Sequence, residues 1–414
     1  MSRGNLPVDA ARIARDLADL AALTEPDRPW TRRAFTPVFL EGRRWLAERM
    51  RDAGLDPAID AAGNLIGRRA GRKPGRGTLV IGSHSDTVPD GGRYDGTAGV
   101  IAGLEVARAL QDAGITLEHD LEIVDFLAEE VSIFGVSCIG SRAMTGQIPA
   151  DWLERDHQGR SLRQAIIEVG GDPGSLSPRN DIRASLELHI EQGPVLETAG
   201  ETIGIVMSIT GITRIALSVT GRADHAGTTP MGLRDDALVT AAGVILDIHD
   251  EACRRASDGA DHFTATVGEF TIKPGAANVV PGIAELLIDA RASDPGVMTH
   301  FVDWLRSRIA DCPITMQVIS DNPPCPCDLD LCLELETAAR QLGAKSRRMV
   351  SGAGHDTAWI SKTARAAMIF VPCKDGRSHC PEESATPEDI SVGADVLFET
   401  VIAIDRSLAD PAPA

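Results

Sequence analysis

Leu121-Glu-Ile-Val-Asp-Phe-Leu-Ala128, followed at once by Glu129-Glu130, decides the fold class. The run is short and apolar and reads as a strand carrying two carboxylates at its tip. Working outward, Gly77-Thr-Leu-Val-Ile81 is another short buried strand, running into His84. Phe35 to Asp52 has helical apolar spacing and stops at Gly54, a helix-terminating residue. Gly96 to Leu110 reads as a helix with small residues on one face. Helices alternating with strands predict an α/β layer, a mostly parallel mixed sheet flanked by helices. Such sheets place their chemistry at the carboxyl ends of the strands.

Two adjacent carboxylates are costly at a strand tip unless a cation compensates them. Upstream lie His84, in Gly82-Ser-His-Ser-Asp-Thr-Val88, and Asp95, in Tyr94-Asp-Gly-Thr-Ala-Gly-Val100. Downstream lie His189, in Glu187-Leu-His-Ile-Glu-Gln-Gly193, and His379, in Gly376-Arg-Ser-His-Cys-Pro-Glu-Glu383. Carboxylates and three imidazoles near the ends of strand-like runs suit a pair of divalent metal ions, so the chain is a candidate hydrolase. Asp86, two residues after His84, is placed to accept the second ring N–H of a metal-bound imidazole, or to cap a turn. Asp95 precedes a helix and can bridge cations or act as its N-cap.

The pattern changes after about residue 209. Thr213 to Thr220 alternates like a half-exposed strand, and Arg234 to Ile248 is an amphipathic helix. Ala265 to Ile272 and Ile283 to Arg291 are strands, Val297 to Ile309 a helix, and Ile314 to Ile319 a last strand. The order β-α-β-β-α-β predicts a ferredoxin-like α+β domain over 210–325, inserted into a metal-binding domain formed by 1–209 and 326–414. Ala366 to Pro372 is a buried strand of the larger domain, leading to His379.

The chain's 414 residues suggest two domains, and 43% hydrophobic content allows a large core. A net charge of −19 argues against nucleic acid and anionic membranes as partners. Met1 to Pro7 lacks the apolar segment of a secretory leader, and no 18-residue apolar stretch exists to span a membrane. Eight scattered cysteines imply reduced thiols and a cytoplasmic location. Cys325-Pro-Cys327 reads as a loop, and Cys380 beside His379 as packing. Gly91-Gly-Arg-Tyr-Asp-Gly96 lacks the spacing of a dinucleotide-binding turn.

His84-Ser-Asp86, Tyr94-Asp-Gly96, Glu129-Glu130, His189-Ile-Glu-Gln-Gly193, Gly221-Arg-Ala-Asp-His-Ala-Gly-Thr-Thr-Pro-Met231 and Ser378-His-Cys-Pro-Glu382 together resemble the M20-type metallopeptidase superfamily. They look most like its amidase branch, which holds N-carbamoyl-L-amino acid hydrolases, allantoate amidohydrolases and β-ureidopropionases. The resemblance runs from about residue 35 to 400. It implies that Asp95 bridges two Zn²⁺ or Mn²⁺ ions, with Co²⁺ or Ni²⁺ as substitutes. His84 and His189 would complete one site, Glu130 and His379 the other, and Glu129 would act as general base off the metals. His189 stands where a third carboxylate ligand is common elsewhere in the superfamily.

By the same resemblance, His225 stabilises the oxyanion in a neighbouring subunit's site, which implies a homodimer through 210–325. Asn278 and Arg291 would hold an α-carboxylate, Gln192 the carbamoyl or ureido end, and Gly354 would present backbone to substrate. His355 and Asp356 would start a helix that buttresses the site. The implied reaction is hydrolysis of an N-carbamoyl-L-amino acid to amino acid, CO₂ and ammonia, with the 210–325 domain closing as a lid. Ser132 to Gly146 leans towards the carbamoylase-like members. Rival readings are an allantoate amidohydrolase or β-ureidopropionase and, from another class, a binding protein that keeps the fold without catalysis.

Overall fold

The computed structural model describes residues 7–257 and 262–409. Residues 1–6, 258–261 and 410–414 lie outside the described residues, and with them the leader reading of the first residues and the outer ends of the 1–209 and 326–414 assignment. The chain divides into two compact units. One comprises Met1–Met207, Cys327–Met349 and His355–Ala414, the other Ser208–Pro326 and Val350–Gly354.

The first unit opens with α1 (Ala10–Ala22), whose Ala11 and Arg12 amides donate to the Asp9 carboxylate. Next is α2 (Pro37–Asp52), capped by Thr36 with proline in its first turn. It ends just before Gly54, whose φ of 70° is the left-handed conformation that closes helices. β1 (Asp56–Ile59), β2 (Leu65–Arg69), β3 (Thr78–His84), α3 (Thr97–Asp112), β4 (Asp120–Phe126) and α4 (Ile139–Met144) follow. A small hairpin of β5 (Asp156–His157) and β6 (Arg160–Ser161) leads to α5 (Leu162–Glu168), β7 (Ile182–Ile190), α6 (Val195–Ala199) and β8 (Ile203–Ile209).

The second unit runs β9 (Gly211–Thr220), α7 (Ala237–Ser257), β10 (Phe263–Lys273), β11 (Ile283–Ala292), α8 (Pro295–Ile309) and β12 (Ile314–Asn322). The chain then passes through β13 (Cys325–Pro326), α9 (Leu329–Gln341), β14 (Ser346–Ser351), α10 (Thr357–Ile360), β15 (Arg365–Val371) and α11 (Pro387–Ala409).

The large sheet has the order β1-β2-β4-β3-β7-β15-β8-β13, with β14 also paired to β8. Its centre, β4-β3-β7-β15, is parallel, and the flanking pairs β1-β2, β2-β4, β15-β8 and β8-β13 are antiparallel. Central parallel strands are covered on both faces, and every residue of β3 and β4 is buried. α3 lies hard against this centre: a Cβ on Gly99 would overlap the Leu188 carbonyl. That close approach explains the small residues on the helix face.

β4 carries acids into the core and pairs them there with arginines. Arg43 of α2 bonds Asp125 Oδ2 and the Asp125 carbonyl, both at 2.9 Å, and also reaches the Gly63 carbonyl. Glu122 is met by Arg179 at 2.6 Å. A buried carboxylate without such a partner would be severely destabilising.

The second unit's sheet is antiparallel, with order β10-β11-β9-β12. This is the strand order of a split βαβ fold. Ile215, Leu217 and Val219 of β9 pack with Val244 and Ile248 of α7 and with Phe301 and Leu305 of α8. Alternate residues of β11 are buried, as expected for a sheet covered by helices on one face.

Candidate metal centre

Four strands deliver the donors. His84 ends β3, His189 is the penultimate residue of β7, Glu129 and Glu130 follow the end of β4, and His379 lies in the loop after β15. These strands are the parallel centre, so their carboxyl ends share one edge. Asp95 joins them from the loop before α3. The N-cap reading of Asp95 is not realised: Gly96 occupies that position at φ 61°, and no side chain caps the helix. A Cβ on Gly96 would overlap the His84 ring, so glycine lets the loop close over the imidazole.

Asp95 is the centre of the constellation. Its Oδ1 lies 3.3 Å from His189 Nε2 and 3.5 Å from His84 Nε2. Its Oδ2 lies 3.3 Å from His379 Nε2, which is 3.1 Å from Glu130 Oε1. Two donor trios result, His84–Asp95–His189 and Asp95–Glu130–His379, each with its ligand atoms within 4.8 Å of one another. The first trio is buried, while His379 is 48% exposed. Glu129 belongs to neither trio; its Oε2 lies 3.6 Å from His84 Nε2.

The hydrogen bonds behind the imidazoles decide which nitrogens face inward. His84 Nδ1 is 3.0 Å from the Asp86 carbonyl oxygen, and His189 Nδ1 is 2.9 Å from that of Ile190. A carbonyl only accepts, so both Nδ1 atoms carry the proton and both Nε2 atoms present lone pairs. His84 Nε2 is buried with no hydrogen-bond partner. Its lone pair and the Asp95 and Glu129 oxygens are acceptors that converge without a donor between them. That arrangement is repulsive unless a cation joins them. The residues present therefore fit divalent metal, with imidazole and carboxylate donors of the kind zinc and manganese accept.

The expected pairing of His84 with the Asp86 carboxylate takes another form. The nearest Asp86 atom is its backbone carbonyl; Oδ1 stands 3.6 Å from Nδ1 and accepts the Glu129 backbone N–H at 3.2 Å. Asp86 thus orients the imidazole by backbone and the proposed base by side chain.

The electrostatics match a cation-shaped deficit. Hydrogen bonds to Asp95 and Glu130 push His379 up to about 11. Burial alone would lower His84, but the charges of Glu129, Asp86 and Asp95 outweigh it and hold it well above its ordinary value. Burial lifts Glu129 well above the usual carboxylate range, and repulsion from Glu130 adds to this. Burial would raise Asp95 as well, yet the surrounding imidazoles hold it well below that range. Ala128, Cys138, Gln192 and His379 all adopt positive φ between 51° and 57°, a conformation that side-chain-bearing residues take at a cost.

Several contributors to the site carry no signal of their own in the sequence. Glu383 is buried and accepts the Tyr94 and Asp95 amides at 2.8 and 3.0 Å, cradling the Asp95 loop. Ser378 Oγ sits between Asp95 Oδ2, at 2.7 Å, and Glu383 Oε2, at 2.8 Å. A Cβ on Gly92 would overlap the Glu383 carboxylate, so this glycine is a legible trace of the contact. Glu187 accepts from Ser83 Oγ at 2.9 Å and Thr357 Oγ1 at 2.7 Å, tying β3, β7 and α10 together beneath the site. His355 stacks edge-on against His189 at 4.6 Å, and Asp356 precedes the short α10.

Gln192 donates to Asp95 Oδ2 at 2.6 Å, leaving its Oε1 buried without a partner. The remaining substrate candidates lie in the second unit. His225 is exposed and bridges Val279, its Nδ1 accepting the Gly227 amide at 3.0 Å. The exposed Asn278 lies in the same loop contact, its carbonyl accepting the Ala226 amide at 2.9 Å. Arg291 donates to Asp289 at 2.8 Å and to the Gly352 carbonyl at 2.7 Å. Gly354 is exposed, and a Cβ placed on it would meet open space.

The model of peptidase family M20/M25/M40 matches residues 80–403, a span holding every donor above. The chain belongs to this family. Among M20 relatives, an N-carbamoyl-L-amino-acid amidohydrolase of Paenarthrobacter aurescens is 36% identical, covering 96% of this chain and 98% of that one. A probable allantoate deiminase of Oryza sativa is 30% identical, over 96% of this chain and 88% of its own length. The crystal structure of a hydantoinase/carbamoylase family amidase from Burkholderia multivorans superposes with a TM-score of 0.88, at 35% identity, over 96% of this chain and 98% of that one. Among the described residues of this M20 chain, no helix is long and apolar enough to cross a membrane.

Proposed function

We propose that this M20 chain is a binuclear metal-dependent amidohydrolase that converts N-carbamoyl-L-amino acids to L-amino acid, CO₂ and ammonia. One observation carries the reading: Asp95 offers one oxygen to each of two donor trios, while Glu129 stands beside His84 and belongs to neither trio. The name and near-full-length coverage of the Paenarthrobacter relative support the substrate class.

His84, Asp95 and His189 would hold one cation, and Asp95, Glu130 and His379 the other, Zn²⁺ or Mn²⁺ in each case. Bound there, such ions supply Lewis acidity and bring the pKa of water towards neutrality. Glu129 accepts the proton of the attacking water and returns it to the leaving nitrogen. Burial favours this role, because a carboxylate with a raised pKa releases its proton less readily to solvent and nearer to working pH. Gln192 hydrogen-bonds the carbamoyl end. Arg291 and Asn278 hold the α-carboxylate, Gly354 offers backbone, and His225 stabilises the oxyanion in a partner subunit's site. In this reading the 210–325 domain is a lid and dimerisation domain of a cytoplasmic homodimer.

The rice relative's name favours a second reading on the same site, an allantoate amidohydrolase. Ammonia release from carbamoyl-methionine, allantoate and ureidopropionate, measured with Zn²⁺ or Mn²⁺ supplied, separates the readings. Carbamoyl-methionine is expected to turn over fastest, and Glu129→Gln to lose at least about 10²-fold in kcat while retaining its cations. Parent-like turnover by Glu129→Gln would sink the mechanism. Allantoate as the best substrate would select the second reading.

A further inference from the structure

The two oxygens of Glu129 face different groups. Oε2 is the oxygen nearest His84 Nε2, at 3.6 Å. Oε1 accepts from Cys138 Sγ at 3.5 Å, an ordinary length for a thiol donor, while the Glu129 backbone carbonyl lies farther from the same sulfur, at 3.7 Å. We propose that Cys138 is a positioning residue for the general base: its thiol occupies Oε1 and leaves Oε2 turned towards the metal ligands. This rests on the reading of Glu129 as that base.

The backbone is built to hold the thiol there. The Cys138 N–H donates to the Glu129 carbonyl at 2.9 Å, Ile139 to Ala128 at 3.1 Å, and Gly140 to Leu127 at 2.8 Å. These three bonds clamp the segment after β4 against the start of α4. A Cβ on Gly140 would overlap Asn64 Oδ1 and the Leu127 amide, so the clamp is as close as two chains allow. Cys138 itself sits at φ 51°, a left-handed conformation unfavourable for a side-chain-bearing residue and held by its neighbours. Ser141, in the first turn of α4, braces the same corner by donating to Asp356 at 2.5 Å.

The residue type suits the task. Cys138 is 6% exposed. A thiol is a small, weak donor that behaves as a hydrophobe, so burying it costs less than burying a hydroxyl. Burial and the neighbouring Glu129 charge keep it protonated, so it has a hydrogen to give at neutral pH. It offers no charge that would compete for the cations.

The test compares full-length Cys138→Ala, Cys138→Gly, Cys138→Ser and Glu129→Gln with the parent on carbamoyl-methionine, with cation content measured by plasma mass spectrometry. Alanine removes the donor, and glycine removes it while relieving the positive φ, so a folding defect in one is controlled by the other. The donorless variants are expected to lose about tenfold in kcat with KM within about twofold and cations retained, and Cys138→Ser to recover most of the loss. Parent-like kcat in the alanine or glycine variant, equal loss in the serine variant, or loss that tracks missing cations would overturn the proposal. Glu129→Gln separates the two ideas. If it is inactive while Cys138→Ala matches the parent, only the positioning role fails; if it is active, the base reading fails first.

Discussion

His84 shows how one side chain can be solved by its surroundings. Its Nδ1 proton is committed to a carbonyl, so its remaining lone pair points into a buried space shared with carboxylates. His84→Ala is therefore expected to remove a ligand without repairing the repulsion among the rest. Cation content should fall from two towards one or fewer per chain, with more than about 10³-fold loss of turnover. The Asp95 loop depends on Glu383, which receives two of its amides. Glu383→Ala leaves those buried donors unpaired and should weaken metal affinity by about 10- to 100-fold, read by competition with a chromogenic chelator. The five candidate ligands and Glu129 could be singled out in the sequence because imidazoles and carboxylates at strand ends are expensive without a purpose. Glu383 and Cys138 were not, since a buried acid that bonds amides and a thiol that bonds a carboxylate look, in sequence, like a surface residue and a core residue.

At the level of elements, β4 is the sensitive one. Among the described residues, Arg43 is the cation paired with its buried Asp125, at 2.9 Å. Arg43→Ala is expected to cost about 3–5 kcal/mol in urea unfolding, because it leaves an uncompensated charge in the sheet. Adding Asp125→Asn to Arg43→Met should recover a substantial part of that loss. The pattern of apolar runs located β3, β4 and β15, since runs of that length bounded by breakers favour a strand over a buried helix, but it gave β7 no range of its own. It was weaker at helix ends. The helix expected over Arg234 to Ile248 is α7, which begins at Ala237 and runs on to Ser257. The extension is mostly polar and has few core contacts to announce it. The antiparallel margins of the large sheet were also hidden, because β1, β13 and β14 are short or half-exposed and lack a continuous apolar signal.

Across the whole molecule, the donors come from positions between 84 and 379, so cations bound to them would link parts of the first unit that are remote in sequence. Anything that binds the folded state alone stabilises it, by about 2.7 kcal/mol at a hundredfold excess over Kd. Chelation should lower the Tm by several degrees, and added Zn²⁺ or Mn²⁺ should restore it; an unchanged Tm would argue against occupied sites. The change of period near residue 209 lies close to Ser208, where the second unit begins, but the small segment Val350–Gly354, which joins that unit, has no such signal in the sequence. Five residues within a longer run carry no periodicity of their own.

The sheet order also has a consequence for synthesis. β15 lies between β7 and β8, yet it is made after both, with β9 to β14 intervening. While the ribosome is still extending the chain, the hydrogen-bonding side of β7 faces an empty lane. Stalled chains ending before Arg365 should therefore carry an unpaired, apolar strand edge, attract holdase chaperones and be cut readily by protease, whereas chains released past α11 should resist.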